Sequence, residues 1–343
     1  MRVLVLTDHH AFSHYDSQFA LTRALRRRWG LSVHVASRRD PNNADFFADP
    51  TGAEIWTRWA DRHFLFETGA DWFEGRTTPR PLTAFGAVIH KIEPPLDEAF
   101  LAKLASFEDR IVFINSPSGM IRTSTKLFLR HVADLVPGFA VCETVTDVVA
   151  HLALEPSIVI KPASGSSGRG LIRIGPDGVW DGSTRLDGGI TSPSVRRLIA
   201  ETLPGIAMRF LPDVVEGDKR ILVFNGSILG GLLRLPKAGS WIANVAQGGR
   251  VRATGIDEEE RAIVARIDPL MREHGVPIYG IDTLRAPDGF RVLSEINTAN
   301  PNGMIQIETL GGQPVLAPLA AGMHRFIADR LMELRLASRR GGG

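Results

Sequence analysis

Hydrophobic residues along the chain form short runs that are separated by amphipathic and polar segments. Residues 3–6 are an apolar run that ends in Thr7 and Asp8, a pattern typical of a buried parallel strand. Residues 17–29 place apolar side chains on one side of a predicted helix, which Gly30 ends, and residues 31–36 predict a second strand. This order of strand, helix and strand indicates an open α/β domain.

Later parts of the chain differ in pattern. Residues 40–81 show no clear period, and we expect their aromatic side chains, including Trp56, Trp59 and Trp72, to cover the core. From residue 203 onward the sequence is rich in glycine and in strand-like runs, which indicates an antiparallel sheet. Predicted strands lie at residues 84–90, 111–115, 140–143, 158–162, 171–174, 220–224, 227–235, 278–284 and 290–296, and predicted helices at 126–135 and 315–336.

The chain has 343 residues, enough for two or three compact units with sizeable cores. We expect an α/β fold whose units span residues 1–122, 123–202 and 203–337, followed by a disordered tail at 338–343.

Composition narrows the choice of partner and compartment. The net charge is +2, from 40 basic and 38 acidic side chains, so the chain has no electrostatic footprint for nucleic acid. The single cysteine, Cys142, excludes a disulfide within the chain and fits a reducing compartment. The N-terminal apolar run is too short for a signal peptide, and no segment is long enough to span a bilayer. We expect a cytoplasmic protein without a membrane partner, and we assign no role to His9, His10 and His14.

Three oxygen-bearing side chains converge on one predicted hairpin. If its turn is symmetric about residues 287 and 288, Asp282 lies opposite Leu293 and shares a face with Glu295 and Asn297. Such hard oxygen donors suit Mg²⁺, which keeps coordination sites for phosphate and water. A solvated polar face is the alternative interpretation.

A glycine-rich loop follows the predicted strand 158–162. Lys161 stands near the end of that strand, and residues 163–170 are small and flexible before the next apolar run. Successive backbone amides in such a loop can bind an anion, so Lys161 and the loop predict a phosphate site. The loop is neither a Walker A nor a Rossmann motif, and an ordinary hairpin loop is the alternative.

Two further segments carry candidate chemistry. Residues 208–220 could present backbone to an adenine and a carboxylate to ribose hydroxyls, or could simply join two strands. Arg234 ends an apolar strand and is followed by a loop with Trp241, Asn244 and the pair Gly248 and Gly249. A mobile lid of this kind suits a developing oxyanion or phosphate charge, and a surface salt bridge at Arg234 is the alternative.

The order of these pieces resembles the ATP-grasp superfamily, and within it the prokaryotic glutathione synthetases. The resemblance covers most of the chain. It is carried by residues 16–20, 91–97, 115–126, 216–220, 248–250 and 295–297, the last being the family's Glu-Ile-Asn.

The resemblance implies an open α/β substrate domain followed by a two-lobed α+β ATP-grasp domain. It implies that ATP is bound by Lys126, Lys161, Ser164, Gly165, Ser167, Gly168, Gly170, Arg209, Phe210, Leu211 and Asp218, with Asp218 on the ribose. Asp282, Glu295 and Asn297 would hold two Mg²⁺ ions, with Mn²⁺ as an alternative ion. Arg220, Arg234, Asn244, Gly248 and Gly249 would face the acyl group and the transferring phosphoryl group.

The chain departs from the family pattern where that pattern has arginines. His90, Ile242 and Ile305 stand at such places, and residues 300–302 replace Ser-Pro-Thr. Arginine binds carboxylates bidentately, so these changes predict an altered substrate unless other basic residues compensate. The candidates for compensation are Arg122, Arg250 and Arg252, and Trp241 on the lid is a candidate apolar contact.

The predicted function is an ATP-dependent ligase that joins a small-molecule acid to an amine through an acylphosphate. The activity implied by the resemblance converts γ-glutamylcysteine, glycine and ATP to glutathione, ADP and phosphate. Alternatives are an amino-acid or peptide ligase with other substrates, and a non-catalytic ATP-binding regulator. We expect a homo-oligomer, either a dimer or a tetramer.

Overall fold

The computed structural model describes residues 1–8, 15–66, 69–73, 75–95, 97–165, 169–243 and 249–341. In this part of the chain, three sheets follow one another along the sequence. No helix there is long and apolar enough to cross a membrane.

The first sheet is an open, mainly parallel α/β sheet, as the sequence predicts. Its order is β4-β3-β2-β1-β5-β6, with β1 parallel to β2 and β5, and with β3 and β4 added antiparallel at one edge. The strands are β1 Arg2–Thr7, β2 Ser32–Ser37, β3 Ile55–Trp59, β4 Thr78–Arg80, β5 Ala87–Lys91 and β6 Val112–Ile114. The helices are α1 Ser17–Arg26, α2 Ala44–Ala48, α3 Glu98–Ala105 and α4 Pro117–Thr123.

Two local expectations in this unit are corrected. Helix α1 ends at Arg26 rather than at Trp29, and the Trp29 side chain is 95% exposed. Among the tryptophans expected to cover core, Trp72 is buried but Trp59 is half exposed, because β3 lies near the edge of the sheet.

The second sheet is antiparallel, in the order β11-β10-β9-β8-β12-β7. Its strands are β7 Ala140–Cys142, β8 Ile158–Pro162, β9 Ile172–Gly175, β10 Gly178–Asp181, β11 Thr184–Leu186 and β12 Gly205–Arg209, with helices α5 Val145–Leu152 and α6 Pro193–Thr202. Strand β12 lies beyond the predicted boundary at residue 202, and the division into domains stays a prediction. The predicted helix 126–135 is a 3₁₀ helix, Lys126–Leu135, interrupted at Val132.

The third sheet is the antiparallel sheet expected from residue 203 onward. Its order is β15-β14-β13-β16-β17. The strands are β13 Asp218–Phe224, β14 Ser227–Leu235, β15 Arg250–Thr254, β16 Ile278–Arg285 and β17 Arg291–Asn297, and the helices are α7 Glu258–Glu273, α8 Met304–Gly311 and α9 Leu316–Gly341. Helix α9 continues to Gly341, through most of the segment expected to be a disordered tail; residues 342 and 343 lie outside the described residues.

Helix α7 was missed by the sequence analysis, although its sequence carries two helix signals. Asp257 and Glu260 form a capping box at its first turn. Ile263, Val264, Ile267 and Met271 recur at helical spacing, and all of them are buried. This helical period was not recognised because the sequence on both sides of it is rich in strand-like runs.

A buried charge network fixes α7 against the back of the third sheet. Glu260 is fully buried and accepts hydrogen bonds from Lys219 Nζ at 2.9 Å and from Thr283 Oγ1 at 2.7 Å. Lys219 also donates to Asp257 at 2.7 Å. Because a buried ammonium needs compensating acceptors, this network holds the register of β13 and β16 against the helix.

We predict that Glu260→Gln lowers the free energy of unfolding by about 3 kcal/mol, because it leaves the buried Lys219 ammonium with weaker compensation. Urea denaturation measures this change. The matched control is Glu258→Gln, on the same helical turn but almost fully exposed, which should change stability by less than about 0.5 kcal/mol. Equal changes in the free energy of unfolding for the two variants would show that the buried network stabilises the fold no more than an exposed charge does.

Candidate active site

A cleft lies between the second and third sheets. Strands β8 and β12 line one side of it, and strands β13, β14, β16 and β17 line the other. Apolar side chains of both sheets belong to one hydrophobic core cluster, which also includes α7 and the 3₁₀ helix at 126–135. The cleft is therefore formed by the packing of the two sheets, rather than by loops alone.

Part of the cleft lining is apolar. Val159, Met208, Leu211, Val214 and Leu284 line it. An aromatic base fits between such side chains, and the backbone at the end of β12 offers it hydrogen-bonding groups.

An aromatic and cationic stack supports this apolar end. Phe210 contacts Trp241 edge to face, with ring centroids 6.0 Å apart. The Arg173 guanidinium lies 4.1 Å from the Phe210 ring centroid and 4.2 Å from that of Trp180. These stacked side chains hold the wall in place. The sequence analysis missed Arg173 and Trp180.

The opposite end is charged, and a β-bulge sets its geometry. The predicted register, with Asp282 opposite Leu293, is wrong. The register shifts between Asp282 and Thr283, so that Leu293 pairs with Thr283 and Glu295 lies directly opposite Asp282. The bulge brings the two carboxylates closer than the symmetric turn would have done, and Asn297 follows on the same face.

Four charged side chains form a network across three adjacent strands. Arg220 donates two hydrogen bonds to Asp282, its direct neighbour on β16. Arg234 donates two to Asp218, at 2.7 and 2.6 Å, and lies 2.9 Å from Asp282. Burial acts to raise the pKa of Asp282, but the two guanidinium groups outweigh it and hold that pKa well below its usual value. Asp282 is therefore ionised at neutral pH.

Gly217 makes this network sterically feasible. Its φ is +99°, and a Cβ placed there would lie 2.7 Å from the Arg234 carbonyl oxygen. A side chain at this position would push β13 and β14 apart where Asp218 and Arg234 pair.

The predicted metal ligands lie together in the cleft. Asn297 Nδ2 is 3.3 Å from Asp282 Oδ2, and Glu295 Oε1 is 3.6 Å from Lys126 Nζ. Among the described residues, no three His, Cys, Asp or Glu side chains are grouped to hold a metal, so this set depends on two carboxylates and one amide. Carboxylate and amide oxygens at the edge of an open cleft fit Mg²⁺. The Asp282 oxygens are already held by Arg220 and Arg234, so an incoming cation has to compete with those arginines.

Two lysines stand beside these carboxylates. Lys161 is buried and donates to the Ser294 carbonyl oxygen at 3.1 Å and to its Oγ at 3.0 Å, and burial lowers its pKa. Lys126 donates to the carbonyl oxygen of Gly165 at 2.8 Å. Lys126 therefore ties Gly165 to the charged end of the cleft.

The segment after β14 closes one side of the cleft. Trp241 Nε1 donates to the Gly182 carbonyl oxygen at 2.9 Å, which joins this segment to the turn between β10 and β11. Ile242 and Ala243 are buried and line the cleft.

Most of the predicted site residues come together in the cleft. Those that line it are Lys126, Lys161, Gly165, Arg209, Phe210, Leu211, Asp218, Arg220, Arg234, Asp282, Glu295 and Asn297. Ser164, Gly170 and Gly249 are described but do not line it, and Ser167, Gly168, Asn244 and Gly248 lie outside the described residues. The Arg209 guanidinium is paired with Glu155, at 2.7 Å for each of two bonds.

Sequence reasoning missed several residues that line the cleft beside predicted ones. Val159 and Leu284 stand two positions from Lys161 and Asp282, respectively. Alternation along a strand could have identified both. Ser294 enters the cleft because it lies at the bulge, which the sequence pattern did not reveal.

The chain was compared with known proteins. Residues 125–312, more than half of the chain, match the family model described as "Prokaryotic glutathione synthetase, ATP-grasp domain". The glutathione synthetase of Prochlorococcus marinus is 35% identical over 309 residues, which cover 88% of this chain and 90% of that protein. The glutathione synthetase of Parasynechococcus marenigrum is 32% identical over 250 residues, covering 70% and 75%, respectively.

Solved structures agree on the fold. The D-cycloserine synthetase DcsG matches with a TM-score of 0.65 at 16% identity, covering 95% of this chain and 100% of that one. The D-alanyl-alanine synthetase A of Vibrio cholerae matches with a TM-score of 0.59 at 13% identity, covering 97% and 98%. The predicted α/β ATP-grasp architecture is thereby confirmed.

The pairing of Asp218 with Arg234 gives a prediction about Asp218, which the sequence analysis placed on the ribose. Both of its carboxylate oxygens accept hydrogen bonds from Arg234. We expect Asp218→Asn to lower the free energy of unfolding by about 2–4 kcal/mol. We expect it to leave the preference for ATP over 2′,3′-dideoxy-ATP intact, as measured by calorimetric titration. Asp187→Asn, at an exposed position away from the cleft, is the control. Loss of that preference with unchanged stability would instead support a ribose contact.

Proposed function

The chain belongs to the prokaryotic glutathione synthetase family of ATP-grasp enzymes and is an ADP-forming carbon–nitrogen ligase, and we propose that it joins γ-glutamylcysteine to glycine. The observation that carries this proposal is the row of charged side chains across β14, β13, β16 and β17, next to an apolar end that fits a base. A ligase of this kind needs an apolar site for the base and a charged site for the phosphates within one cleft. It needs no side-chain nucleophile, because the acid substrate itself attacks phosphorus.

In this proposal the apolar end holds the adenine, and Lys126 and Lys161 contact the ATP phosphates. Asp282, Glu295 and Asn297 would hold the divalent metal ion, which supplies charge neutralisation at the phosphate oxygens. That two ions bind, and that Mn²⁺ can replace Mg²⁺, are part of the proposal.

Arg220 and Arg234 would stabilise the group that is transferred. Each guanidinium lies beside the Asp282 carboxylate of the proposed metal set, and both are largely buried. The carboxylate of the acid attacks the γ-phosphorus, and ADP leaves. The amine then attacks the acyl carbon of the acylphosphate, phosphate leaves, and the nitrogen loses a proton to give the amide. The two arginines provide fixed positive charge where negative charge develops.

This chain lacks arginines at positions where the family pattern has them. A second candidate function is therefore that of an amino-acid or peptide ligase that uses another acid. Burial is the largest influence holding the pKa of His90 at about 4, so its ring is neutral at pH 7 and does not replace an arginine. Ile242 is buried in the cleft wall and offers only apolar contact. Family membership and the complete set of charged residues favour both ligase readings over a non-catalytic regulator.

The test of this proposal is a panel of acid and amine pairs, followed by phosphate release and product mass. We expect efficient turnover of γ-glutamylcysteine with glycine, with glutathione and ADP as products. Turnover of another acid with none of γ-glutamylcysteine would overturn the glutathione proposal and establish the second candidate. Release of ADP and phosphate without any amide product would contradict both candidates.

Glu295→Gln tests the proposed metal set. The side chain is partly exposed at the cleft edge, so we expect the melting temperature to change by less than about 2 °C. Turnover at fixed Mg²⁺ should fall at least about a hundredfold, because a neutral amide binds a divalent cation weakly.

The control for this prediction is Glu201→Gln on the exposed surface of α6, which should retain full turnover. Equilibrium binding of Mn²⁺, followed by electron paramagnetic resonance, gives a readout independent of activity. Unchanged Mn²⁺ affinity in Glu295→Gln would exclude Glu295 as a ligand.

A further inference from the structure

A strongly basic part of the molecule lies where α1 ends and the last turns of α9 extend. Residues 23–29 and 330–340, which we call the basic end, together carry eight arginines and one acidic residue, Glu333. None of them lines the cleft. The whole chain has a net charge of only +2, so positive charge is concentrated at this end, which a count over the whole chain does not reveal.

Contacts through Met1 bring the two segments of the basic end together. The backbone nitrogen of Met1 donates to the Gly30 carbonyl oxygen at 2.7 Å, directly after Trp29. A Cβ placed on Gly86 would lie 3.2 Å from Leu331 Cδ1 of α9 and 3.5 Å from Met1 Cγ, so these two side chains are neighbours. Helix α9 therefore passes the end of α1 at Leu331, and its last turns begin beside Trp29.

The arginines of α1 in the basic end have no acidic partners. Arg23, Arg27 and Arg28 are exposed. Neither they nor Arg26 forms an ion pair with another residue in the described ranges. Burial lowers the pKa of His324 on α9, and Arg28 lowers it further. The positive field at the end of α1 therefore extends to α9.

Exposed apolar side chains stand among the arginines of the basic end. Trp29 is almost fully exposed and directly follows Arg28. Met332 and Leu336 of α9 are exposed as well, and they lie one helical turn apart. Residues 335–340 are all exposed, and their three arginines form no ion pair with another described residue. The basic end therefore combines projecting apolar side chains with unpaired cations.

Simpler explanations and other partners account for only part of this composition. The helix dipole favours cations in the last turn of α1, but it gives no reason for an exposed Trp29. A symmetric contact with a second copy of the chain would place like charges against each other. Nucleic acid would bind the arginines and leave Met332 and Leu336 in water.

An anionic lipid surface satisfies both kinds of side chain. Its phosphate groups attract arginine, and the layer beneath them takes up tryptophan and aliphatic side chains. A flat surface also accepts projecting side chains without a shaped pocket. Trp29, which projects almost completely from the fold, suits such a surface.

We propose that the basic end binds the surface of an anionic lipid bilayer, with its arginines on lipid phosphates and with Trp29, Met332 and Leu336 in the interfacial layer. The expectation of no membrane partner followed from the absence of a spanning segment, and surface binding needs no such segment. The proposal is independent of the substrates of the ligase.

Binding of this kind leaves the cleft accessible to small substrates. Ser17, the first residue of α1, donates to Asn302 in the loop that follows β17, at 2.9 Å. The ten residues of α1 span about 15 Å, so this loop and the basic end lie at opposite ends of the helix.

The test measures binding of the full chain to vesicles by co-sedimentation at low salt. One set of vesicles is phosphatidylcholine alone, and the other contains about one third phosphatidylglycerol. We expect the partition coefficient to be at least about tenfold higher for the anionic vesicles, and to fall when salt is added. Equal binding to both sets, or no binding to the anionic vesicles, would overturn the proposal.

Paired substitutions locate the binding surface. Arg27→Gln with Arg28→Gln, and Arg335→Gln with Arg339→Gln, should each lower the partition coefficient for anionic vesicles at least about tenfold. The matched control is Arg196→Gln with Arg197→Gln on the exposed surface of α6, which should leave it unchanged. All six side chains are exposed, so thermal denaturation should show the same stability in every variant. An equal loss in the α6 control, or a loss from only one of the two pairs, would overturn the proposal.

Trp29→Ala separates a bilayer from a soluble polyanion. It should lower the partition coefficient for anionic vesicles at least about threefold, because the indole ring no longer enters the interfacial layer. Binding of poly-L-glutamate and of a single-stranded RNA, followed by fluorescence anisotropy, should be weaker than binding of the vesicles. Soluble polyanions that bind as tightly as the vesicles, together with vesicle binding unchanged by Trp29→Ala, would identify a polyanion site and overturn the bilayer proposal.

Discussion

The active cleft depends on one interaction, the charge network in which Arg220 and Arg234 hold Asp282 across three neighbouring strands. Two arginines and two aspartates are placed in a largely buried position, where each charge is tolerable only because of the others. Their placement follows from strand register: Asp218 pairs with Arg234, and Arg220 pairs with Asp282. A slip of one residue in any of these strands would turn these side chains to the opposite face.

Contacts on both faces of the third sheet stabilise this strand register. On the back, Lys219 and Thr283 are tied to Glu260 of α7. On the front, Gly217 allows β13 and β14 to approach, and the bulge beside Asp282 brings Glu295 across from it. The Asp282 carboxylate, at the end of this network, is also the central member of the proposed metal set. A cation bound there would compete with Arg220 and Arg234 for the Asp282 oxygens.

Much of this arrangement was predictable from the sequence, because it follows from short-range patterns. Strand limits at residues 158–162 and 227–235 agree with the structure. Alternation, combined with a symmetric turn, put Asp282, Glu295 and Asn297 on one face, and the structure has them on one face although the register differs. The resemblance placed Lys126 and Arg234 in the cleft, where the structure has them.

The bulge was not predictable, because a turn sequence does not reveal where a register shifts. The ion pair of Asp218 with Arg234 and the stack around Arg173 were not predictable either, because each joins residues distant in sequence. The oligomeric state stays a prediction.

The central claim is that the acid's own carboxylate attacks ATP, and an isotope experiment tests it most directly. γ-Glutamylcysteine labelled with ¹⁸O in its cysteinyl carboxylate is incubated with glycine, ATP and Mg²⁺, and the released phosphate is analysed by mass. The account predicts that one ¹⁸O atom is transferred to each phosphate as glutathione forms. Unlabelled phosphate released at the rate of glutathione formation would contradict it, because the carboxylate oxygen would then never have bonded to phosphorus.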